Sequence, residues 1–218
     1  MIDYKFIRWD QSNWERALNF LESNKTQNFN KKKVLELGGK DASLSLWAAS
    51  QGGNVICSDI VEFDKTIMEK ACNAKIDFEI IDALDIPYNN YFDFIIFKSL
   101  LGGIGRRGAT EKQLLVMRQI KKSLKENGEC LFIENMAGTI LHQIFRNRYG
   151  AGKNDWYYPN LKEFNRMSNI FNDAKFNTYG FLGSTREITR DIRTNFDYNF
   201  DQYLPNAWHY VYAGIYRK

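Results

Sequence analysis

The stretch VLELGGKDASLSLWAA, from Val34 to Ala49, constrains the fold of this chain more than any other. Four residues of strand character lead through Gly38 and Gly39 directly into an amphipathic helical pattern. Such a transition gathers backbone amides at a helix N-terminus, where the helix dipole favours electron-rich ligand groups. The stretch therefore predicts a cofactor site, whose type depends on the strands that follow it.

Strands and helices alternate regularly after Val34. The predicted strands are short apolar runs rather than alternating ones, which is typical of a parallel sheet covered on both faces. They are VLEL, NVICSDI, IDFEIID, FDFIIFKSL and ECLFIEN, with helices over DASLSLWAASQ, EFDKTIMEKACNAK and TEKQLLVMRQIKKSLK, the last opened by a Thr/Gln capping box. We therefore predict an α/β, doubly wound, Rossmann-like fold with helices on both faces of the sheet.

The segments on either side of this alternating core differ from it in texture. A helix is predicted from Asp10 to Glu22, in which Trp14 packs or, together with Trp9, folds over a cofactor. After the fifth strand we predict helices over residues 137–148 and 161–172 and two last strands, TYGFLG and HYVYAGIYRK, separated by an aromatic, charged segment without clear periodicity. Substrate pockets on open α/β sheets are commonly built from such irregular segments.

Length and charge favour a single soluble domain. The 218 residues are 44% hydrophobic and 26% charged, which is typical of one globular unit. We divide residues 1–218 into a helical lead-in (1–30), a cofactor-binding half (34–135) and a substrate-side half (136–218). The formal charge of +4 is spread along the chain, which permits anionic partners but lacks the basic footprint of a nucleic-acid binder.

The cysteines and the N-terminus indicate a cytoplasmic protein. Cys57, Cys72 and Cys130 are odd in number and lie apart in apolar surroundings, so we expect reduced core thiols. The N-terminus MIDYKFIRWD has no basic start followed by an apolar run, and no window reaches the roughly 18 apolar residues of a membrane span.

Acidic residues lie at the predicted strand ends, beyond which doubly wound sheets bind ligands. Glu36 lies in the first strand, Asp59 closes the second and Asp82 closes the third. Asp59 follows the first glycine of the turn by 21 residues, a separation at which its carboxylate can accept both hydroxyls of a ribose. An adenine would then lie between the second and third strand ends, with Asp82 accepting its amino group and Ile60 and Ala83 on its faces.

The succession LELGG, CSDI, IIDALDIP, YFDFIIF and LKENGECLFIE resembles the motif series of class I S-adenosylmethionine-dependent methyltransferases. The resemblance implies a seven-stranded sheet with an antiparallel last strand and S-adenosyl-L-methionine as the cofactor. It assigns cofactor-binding roles to Glu36, Gly38 and Gly39 in the first motif, Asp59 and Ile60 at the ribose, Asp82 and Ala83 at the adenine, and Lys98 and Ser99 at the methionine moiety.

Two positions of the first motif depart from the family pattern. Lys40 and Ala42 stand where the family favours further glycines. An alternative therefore remains open, in which the chain is a non-catalytic cofactor-binding or protein-interaction module with a degenerate first motif.

The predicted reaction is methyl transfer to an oxygen or nitrogen atom of a small-molecule or glycan-like acceptor. His142, after the fifth strand, and Glu134, at its end, are candidate general bases. The candidate acceptor-binding residues are Arg106, Tyr149, Trp156 and Tyr157. No acidic or histidine cluster has metal-ligand spacing, so no metal dependence is expected.

Two further patterns compete with this interpretation. GIGRRG, from Gly103 to Gly108, matches a dinucleotide fingerprint, but no acid ends a strand about 20 residues later. The loop is alternatively an ordinary turn or a substrate-facing loop in which Arg106 or Arg107 meets a carboxylate or phosphate. Tyr149 and Lys153 have the YxxxK spacing of short-chain dehydrogenases, but the intervening glycines disfavour a shared helical face.

Overall fold

The computed structural model describes residues 11–182 and 190–218, in which seven strands form one sheet. The strands are β1 (Lys33–Leu37), β2 (Asn54–Asp59), β3 (Ile76–Ile80), β4 (Phe92–Lys98), β5 (Leu124–Asn135), β6 (Asp173–Tyr179) and β7 (Val211–Arg217). Their order is β3-β2-β1-β4-β5-β7-β6. Neighbours from β3 to β5 are parallel, and β7 is antiparallel to β5 and β6. The predicted fold class, with its antiparallel last strand, is confirmed.

Eight α-helices accompany the sheet within the described ranges. They are α1 (Gln11–Asn24), α2 (Ser43–Ser50), α3 (Lys65–Cys72), α4 (Leu101–Ile104), α5 (Thr110–Ser123), α6 (Ile140–Tyr149), α7 (Leu161–Ser168) and α8 (Arg190–Phe200). Short 3-10 turns follow α4, α6 and α8. None of these helices is long and apolar enough to cross a membrane.

The sheet separates two hydrophobic cores. Successive side chains of a strand point to opposite faces, so a strand covered on both sides needs a continuous apolar run. Phe94 joins the core formed with α1 and α2, whereas Phe97 joins the opposite core with Phe132. Trp14 of α1 is buried in the first core, so this helix packs against the sheet, and Trp9 lies outside the described residues.

One predicted helix cap and one predicted strand boundary are wrong. Helix α5 begins at Thr110 without a side-chain cap, because the predicted capping residue Gln113 is buried and its amide donates to the Leu101 carbonyl at 2.8 Å. The strand predicted over TYGFLG lies earlier, at β6. Gly180 has a φ of +79°, and this left-handed conformation lies immediately beyond the end of the strand.

Helix α8 was missed in the segment that seemed to lack periodicity. Its inward face carries Asp197, which is buried and accepts from the backbone amides of Phe181 and Leu182. Ile192 and Tyr198 are instead exposed. Ile192, Phe196 and Phe200 do recur at helical spacing, but Ile192 and Phe200 are exposed, so the apolar stripe of α8 is not its buried face.

The described cysteines agree with the expectation of core thiols. Cys57 and Cys130 are free and buried, and burial raises the pKa of both thiols. The side chain of Cys72 lies outside the described set.

Candidate cofactor and acceptor site

The carboxyl ends of β1 to β5 lie at one edge of the sheet, because these strands pair in parallel. Backbone hydrogen bonds continue past the strand ends. The Gly39 amide donates to the Ser58 carbonyl at 2.8 Å, and the Ser99 amide donates to the Ile133 carbonyl at 3.0 Å. The turns that follow β1 and β4 are therefore held against neighbouring strands at this edge.

The turn after β1 requires both of its glycines. Gly38 has a φ of +66°. A Cβ on Gly39 would lie 2.6 Å from Cys57 Sγ and 2.9 Å from Glu36 Cδ. Ala42, directly before α2, also adopts the left-handed region with a φ of 53°. This alanine therefore takes a backbone conformation that glycine adopts more readily, at a position where the sequence resemblance implies glycine.

Glu36 is fully buried beneath this turn. Its Oε2 accepts hydrogen bonds from the Ser45 amide at 2.7 Å and from Ser45 Oγ at 2.5 Å, in the first turn of α2. Its Oε1 has no hydrogen bond within the described part of the chain. Burial raises the pKa of this carboxyl. Glu36 thus joins β1 to α2 beneath the turn rather than facing solvent.

Asp59 and Asp82 present carboxylate oxygens at adjacent strand ends. Asp59 Oδ1 accepts from the Ile60 amide at 2.7 Å, and Asp82 Oδ1 accepts from the Leu84 amide at 2.8 Å. Within the described residues, the second oxygen of each carboxylate has no hydrogen-bond partner. The two acids are close in the fold, because Asp59 pairs in register with Ile80, two residues before Asp82.

Large apolar side chains accompany these two acids. Ile60 is 64% exposed and Ile80 is 62% exposed, and Val61 is also exposed. Ala83, which was predicted to cover an adenine face, is only 7% exposed. Ile80 was not predicted as a site residue, because it lies within the predicted strand IDFEIID rather than at its end. Because β3 is an edge strand of the sheet, its side chains are less covered than those of central strands, and this position could have indicated that Ile80 is exposed.

Lys98 and Ser99 lie at the end of β4, as predicted. Lys98 Nζ forms an ion pair with Asp41 Oδ2 at 2.8 Å, which joins the end of β4 to the turn after β1. Ser99 Oγ accepts from the Asn135 amide group at 3.2 Å, and its backbone has a φ of 48°. Asp41 was not identified from the sequence, because an isolated acid in a turn is usually a capping or surface residue.

Glu134 is fully buried at the end of β5. Its Oε1 accepts hydrogen bonds from the backbone amides of Leu100 and Leu101 at the start of α4. Its Oε2 has no partner among the described residues, and burial raises its pKa to about 8. Glu134 therefore supports α4 as Glu36 supports α2, and it presents no exposed atom to an acceptor.

His142 stabilises the start of α6. Its Nδ1 accepts from the Thr139 amide at 3.0 Å, and its Nε2 lies 2.6 Å from the Phe181 carbonyl oxygen, to which it donates. Burial lowers the pKa of the ring. Both nitrogens are thus occupied, so these hydrogen bonds do not support the prediction that His142 is a general base.

Three predicted acceptor residues gather beside α4. A Cβ on Gly102 would lie 1.7 Å from Trp156 Nε1, so the indole packs where only glycine leaves room. The Tyr157 amide donates to the Gly102 carbonyl at 3.1 Å, and Tyr157 Oη donates to Glu163 at 2.6 Å. The Arg106 guanidinium lies 5.8 Å from the centre of the Trp156 ring.

The remaining patterns occupy the neighbouring surface. Tyr149 is exposed at the end of α6, and Lys153 lies in the following 3-10 turn, so the two residues do not share a helical face. GIGRRG forms the end of α4 and a 3-10 turn rather than a glycine turn between a strand and a long helix. Among the described side chains, no group of three or more His, Cys, Asp or Glu residues could hold a metal ion.

Comparison with known proteins gives a result at the level of the fold. No protein-family model and no curated protein sequence matches the chain. Among solved structures, it resembles phosphoethanolamine N-methyltransferase 2 of Haemonchus contortus, in complex with S-adenosyl-L-methionine, with a TM-score of 0.67 and 16% identity. That match covers 94% of this chain and 52% of the other, so the chain spans about half the length of the Haemonchus enzyme.

Two further similar structures match over nearly their whole length. A SAM-dependent methyltransferase of Methanosarcina mazei matches with a TM-score of 0.62 and 15% identity, covering 91% of this chain and 96% of the other. The PH0226 protein of Pyrococcus horikoshii matches with a TM-score of 0.64 and 13% identity, covering 100% and 95%. The chain therefore has the fold of the class I S-adenosylmethionine-dependent methyltransferases.

Proposed function

We propose that this protein is an S-adenosyl-L-methionine-dependent methyltransferase that acts on an oxygen or nitrogen atom of a small-molecule or glycan-like acceptor. The observation that carries the proposal is the pair of carboxylates at the ends of β2 and β3. Asp59 and Asp82 each keep an oxygen free among the described residues, beside the exposed side chains of Ile60 and Ile80. This combination of polar acceptors and apolar faces suits an adenosine.

Each part of the adenosine has a partner in this arrangement. Asp59 would accept the ribose hydroxyls, and Asp82 would accept the adenine amino group. Ile60 and Ile80 would cover the apolar faces of the ring. The backbone of Gly38 and Gly39 would approach the cofactor, since neither residue carries a side chain that would keep it away.

The methionine end of the cofactor carries both a carboxylate and an ammonium group. The Lys98–Asp41 ion pair supplies one charge of each sign at the turn between β1 and β4. Lys98 would bind the carboxylate and Asp41 the ammonium, so that the two side chains exchange their mutual contact for contacts with the ligand. Such an exchange limits the cost of taking these charges out of water.

The cofactor would supply an activated methyl group on sulfur, and the protein would chiefly align the acceptor with it. Trp156 and Tyr157, which pack beside α4, would contact the acceptor. The buried position of Glu134 and the occupied nitrogens of His142 favour an amine in its neutral form, because its lone pair attacks without a general base. Methylation of an alcohol would need a general base other than Glu134 or His142.

Calorimetric titration with S-adenosylmethionine and S-adenosylhomocysteine tests the proposal, followed by transfer of labelled methyl to pooled amines, alcohols and glycans. We expect both cofactor forms to bind and methyl transfer to amines to exceed transfer to alcohols. Absence of binding at millimolar ligand would contradict the proposal. Binding without transfer to any pool would favour the non-catalytic module.

A further inference from the structure

A pocket of about 660 Å³ lies at the end of α4, between the 3-10 turns that follow α4 and α6. We call it the cationic pocket. It is lined by Gly103, Ile104, Arg106, Arg107, Lys112, Lys153, Asn154 and Asp155. Four of these side chains are cationic and one is a carboxylate, so the lining has a strong positive balance although the whole chain carries only +4.

The single carboxylate neutralises one of the four cations. Asp155 Oδ2 accepts from Arg107 Nε at 3.0 Å. Arg106, Lys112 and Lys153 have no carboxylate partner within residues 11–182 and 190–218. Arg106 instead lies over the Trp156 ring, which keeps its guanidinium near the pocket. Uncompensated cations that converge on one concave surface attract an anion.

The N-terminus of helix α5 adds to this positive field. The turn before it includes Arg107, whose φ of 58° lies in a region that side-chain-bearing residues rarely adopt. Helix α5, of 14 residues, begins directly after this turn without a side-chain cap. Its N-terminus therefore contributes partial positive charge beside Lys112, which lies in its first turn. Glu111, in the same turn, does not line the pocket and pairs with Arg166 at 3.2 Å.

We propose that the cationic pocket binds a phosphate group carried by the methyl acceptor. Guanidinium and ammonium groups donate charge-assisted hydrogen bonds to phosphate oxygens, and several donors match a dianion better than a single carboxylate. The pocket adjoins Trp156 and α4, so a phosphate held there would leave the rest of the acceptor beside the end of β4. The assignment to the acceptor rests on the proposed function, whereas phosphate binding itself does not.

The phosphate could belong to a soluble ester or to a phospholipid headgroup. The exposed apolar side chains of α6 allow an experiment to distinguish the two, because only a lipid would contact them with its chains. This helix exposes the apolar residues Ile140, Leu141, Ile144 and Phe145 alongside polar Gln143, Asn147 and Arg148, whereas His142 hydrogen-bonds inward to the Phe181 carbonyl. The exposed apolar face continues to the pocket, since the Tyr149 ring lies 6.0 Å from the Phe145 ring and 6.0 Å from Lys153 Nζ. A lipid would place its chains along this face.

Titration of the full chain with inorganic phosphate, followed by phosphorus NMR, tests the pocket. The variant Arg106→Gln/Lys153→Gln should raise the dissociation constant at least about tenfold, as expected for losing charge-assisted hydrogen bonds. The matched control Arg118→Gln/Lys162→Gln removes the same charge from exposed positions outside the pocket and should change it less than about twofold. Equal weakening in both variants, or no phosphate binding by the wild type, would overturn the proposal.

Calorimetry with S-adenosylmethionine on the same preparations separates this proposal from the proposed function. Retained cofactor binding without phosphate binding would overturn the cationic pocket alone. Retained phosphate binding without cofactor binding would instead overturn the proposed methyltransferase while leaving the pocket intact.

Vesicle flotation identifies the source of the phosphate. If the source is a lipid, vesicles of phosphatidylglycerol should bind the protein, and Ile144→Ser should weaken that binding while leaving inorganic phosphate binding unchanged. If the source is a soluble ester, phosphate binds but vesicles do not. Binding to phosphatidylglycerol vesicles that is as strong for Arg106→Gln/Lys153→Gln as for wild type would contradict recognition through the cationic pocket.

Discussion

The two halves of this molecule use their polar side chains in opposite ways. In the cofactor half, Asp59 and Asp82 keep carboxylate oxygens free at the strand ends. In the acceptor half, His142 and Asp197 form hydrogen bonds with backbone groups of the protein itself. Apolar residues of α6 and α8 are instead exposed. Under the proposed function, we expect the cofactor to bind at the strand ends and the acceptor to contact surfaces where apolar side chains are exposed and polar ones are turned inward.

Two buried glutamates each support the start of a helix within the cofactor half. Glu36 supports α2 and Glu134 supports α4, each through backbone amides at the start of a helix. Each also retains one buried oxygen without a partner among the described residues. The comparison predicts that these acids act on structure, while Asp59 acts on the ligand, and substitutions can separate the two effects.

The largest expected effect is the pH dependence of stability that Glu134 causes. Burial raises its pKa to about 8, whereas the carboxyl titrates near about 4.3 in the unfolded chain. Between these values the folded protein holds a proton that the unfolded chain has released, so the free energy of unfolding falls as pH rises. Glu134→Gln should remove this loss and gain up to about 4 kcal/mol over wild type on going from pH 5 to pH 8.

Denaturant unfolding at the two pH values measures this difference. Exposed Glu62 provides the control, since Glu62→Gln should keep the same stability difference from wild type at both values. An equal pH dependence in wild type and Glu134→Gln would show that the carboxyl is not buried as described, and the parallel with Glu36 would fail.

The packing of Trp156 on α4 gives the next largest effect. A Cβ on Gly102 would lie 1.7 Å from the indole nitrogen, whereas one on Gly103 would lie 3.2 Å from the ring. Gly102→Ala should therefore cost about 1–3 kcal/mol and shift the tryptophan emission, and Gly103→Ala should cost less. Equal stability of both variants and wild type would contradict the packing of Trp156 against Gly102.

Substitution of His142 distinguishes a structural role of this residue from a catalytic one. His142→Ala should cost about 1 kcal/mol of stability through loss of the helix cap. The methyl-transfer rate per folded molecule should stay within about threefold, because removing a general base typically costs about 100-fold or more. A rate loss of that larger size with an intact fold would restore His142 as a base.

The smallest effect concerns the turn after β1. Ala42→Gly removes the cost of a left-handed conformation at a residue with a side chain, which is about 1–2 kcal/mol. The same substitution destabilises the fold, because it removes a buried methyl group and increases the backbone entropy of the unfolded chain. These contributions nearly cancel, so thermal unfolding should change by less than about 1 kcal/mol. A loss above about 2 kcal/mol would mean that Ala42 does not occupy the left-handed region.

Much of the cofactor half could be predicted from sequence, because each strand end has a local signal. Apolar runs place β1 to β5, and an acid that follows such a run lies at the carboxyl edge, as Asp59 and Asp82 do. The ion pair of Asp41 with Lys98 escaped prediction, since it joins residues 57 positions apart through the order of strands in the sheet.

The acceptor half resisted prediction for a physical reason. Pattern analysis assumes that apolar residues face inward, and α8 violates this because Asp197 occupies its buried face. The hydrogen bonds of His142 depend on Phe181, which lies 39 residues away. Its role as a cap therefore could not be separated from that of a base in the sequence.

The central claim is that Asp59 binds the cofactor at the end of β2, and calorimetry with S-adenosylmethionine tests it most directly. Asp59→Ala should weaken binding by about 1.5–3 kcal/mol, the loss expected for charged-acceptor hydrogen bonds, with an unchanged thermal unfolding profile. Asp77→Ala removes an exposed carboxylate from neighbouring β3 and should leave the dissociation constant unchanged. Equal affinities for wild type and both variants would contradict the account and place the cofactor elsewhere.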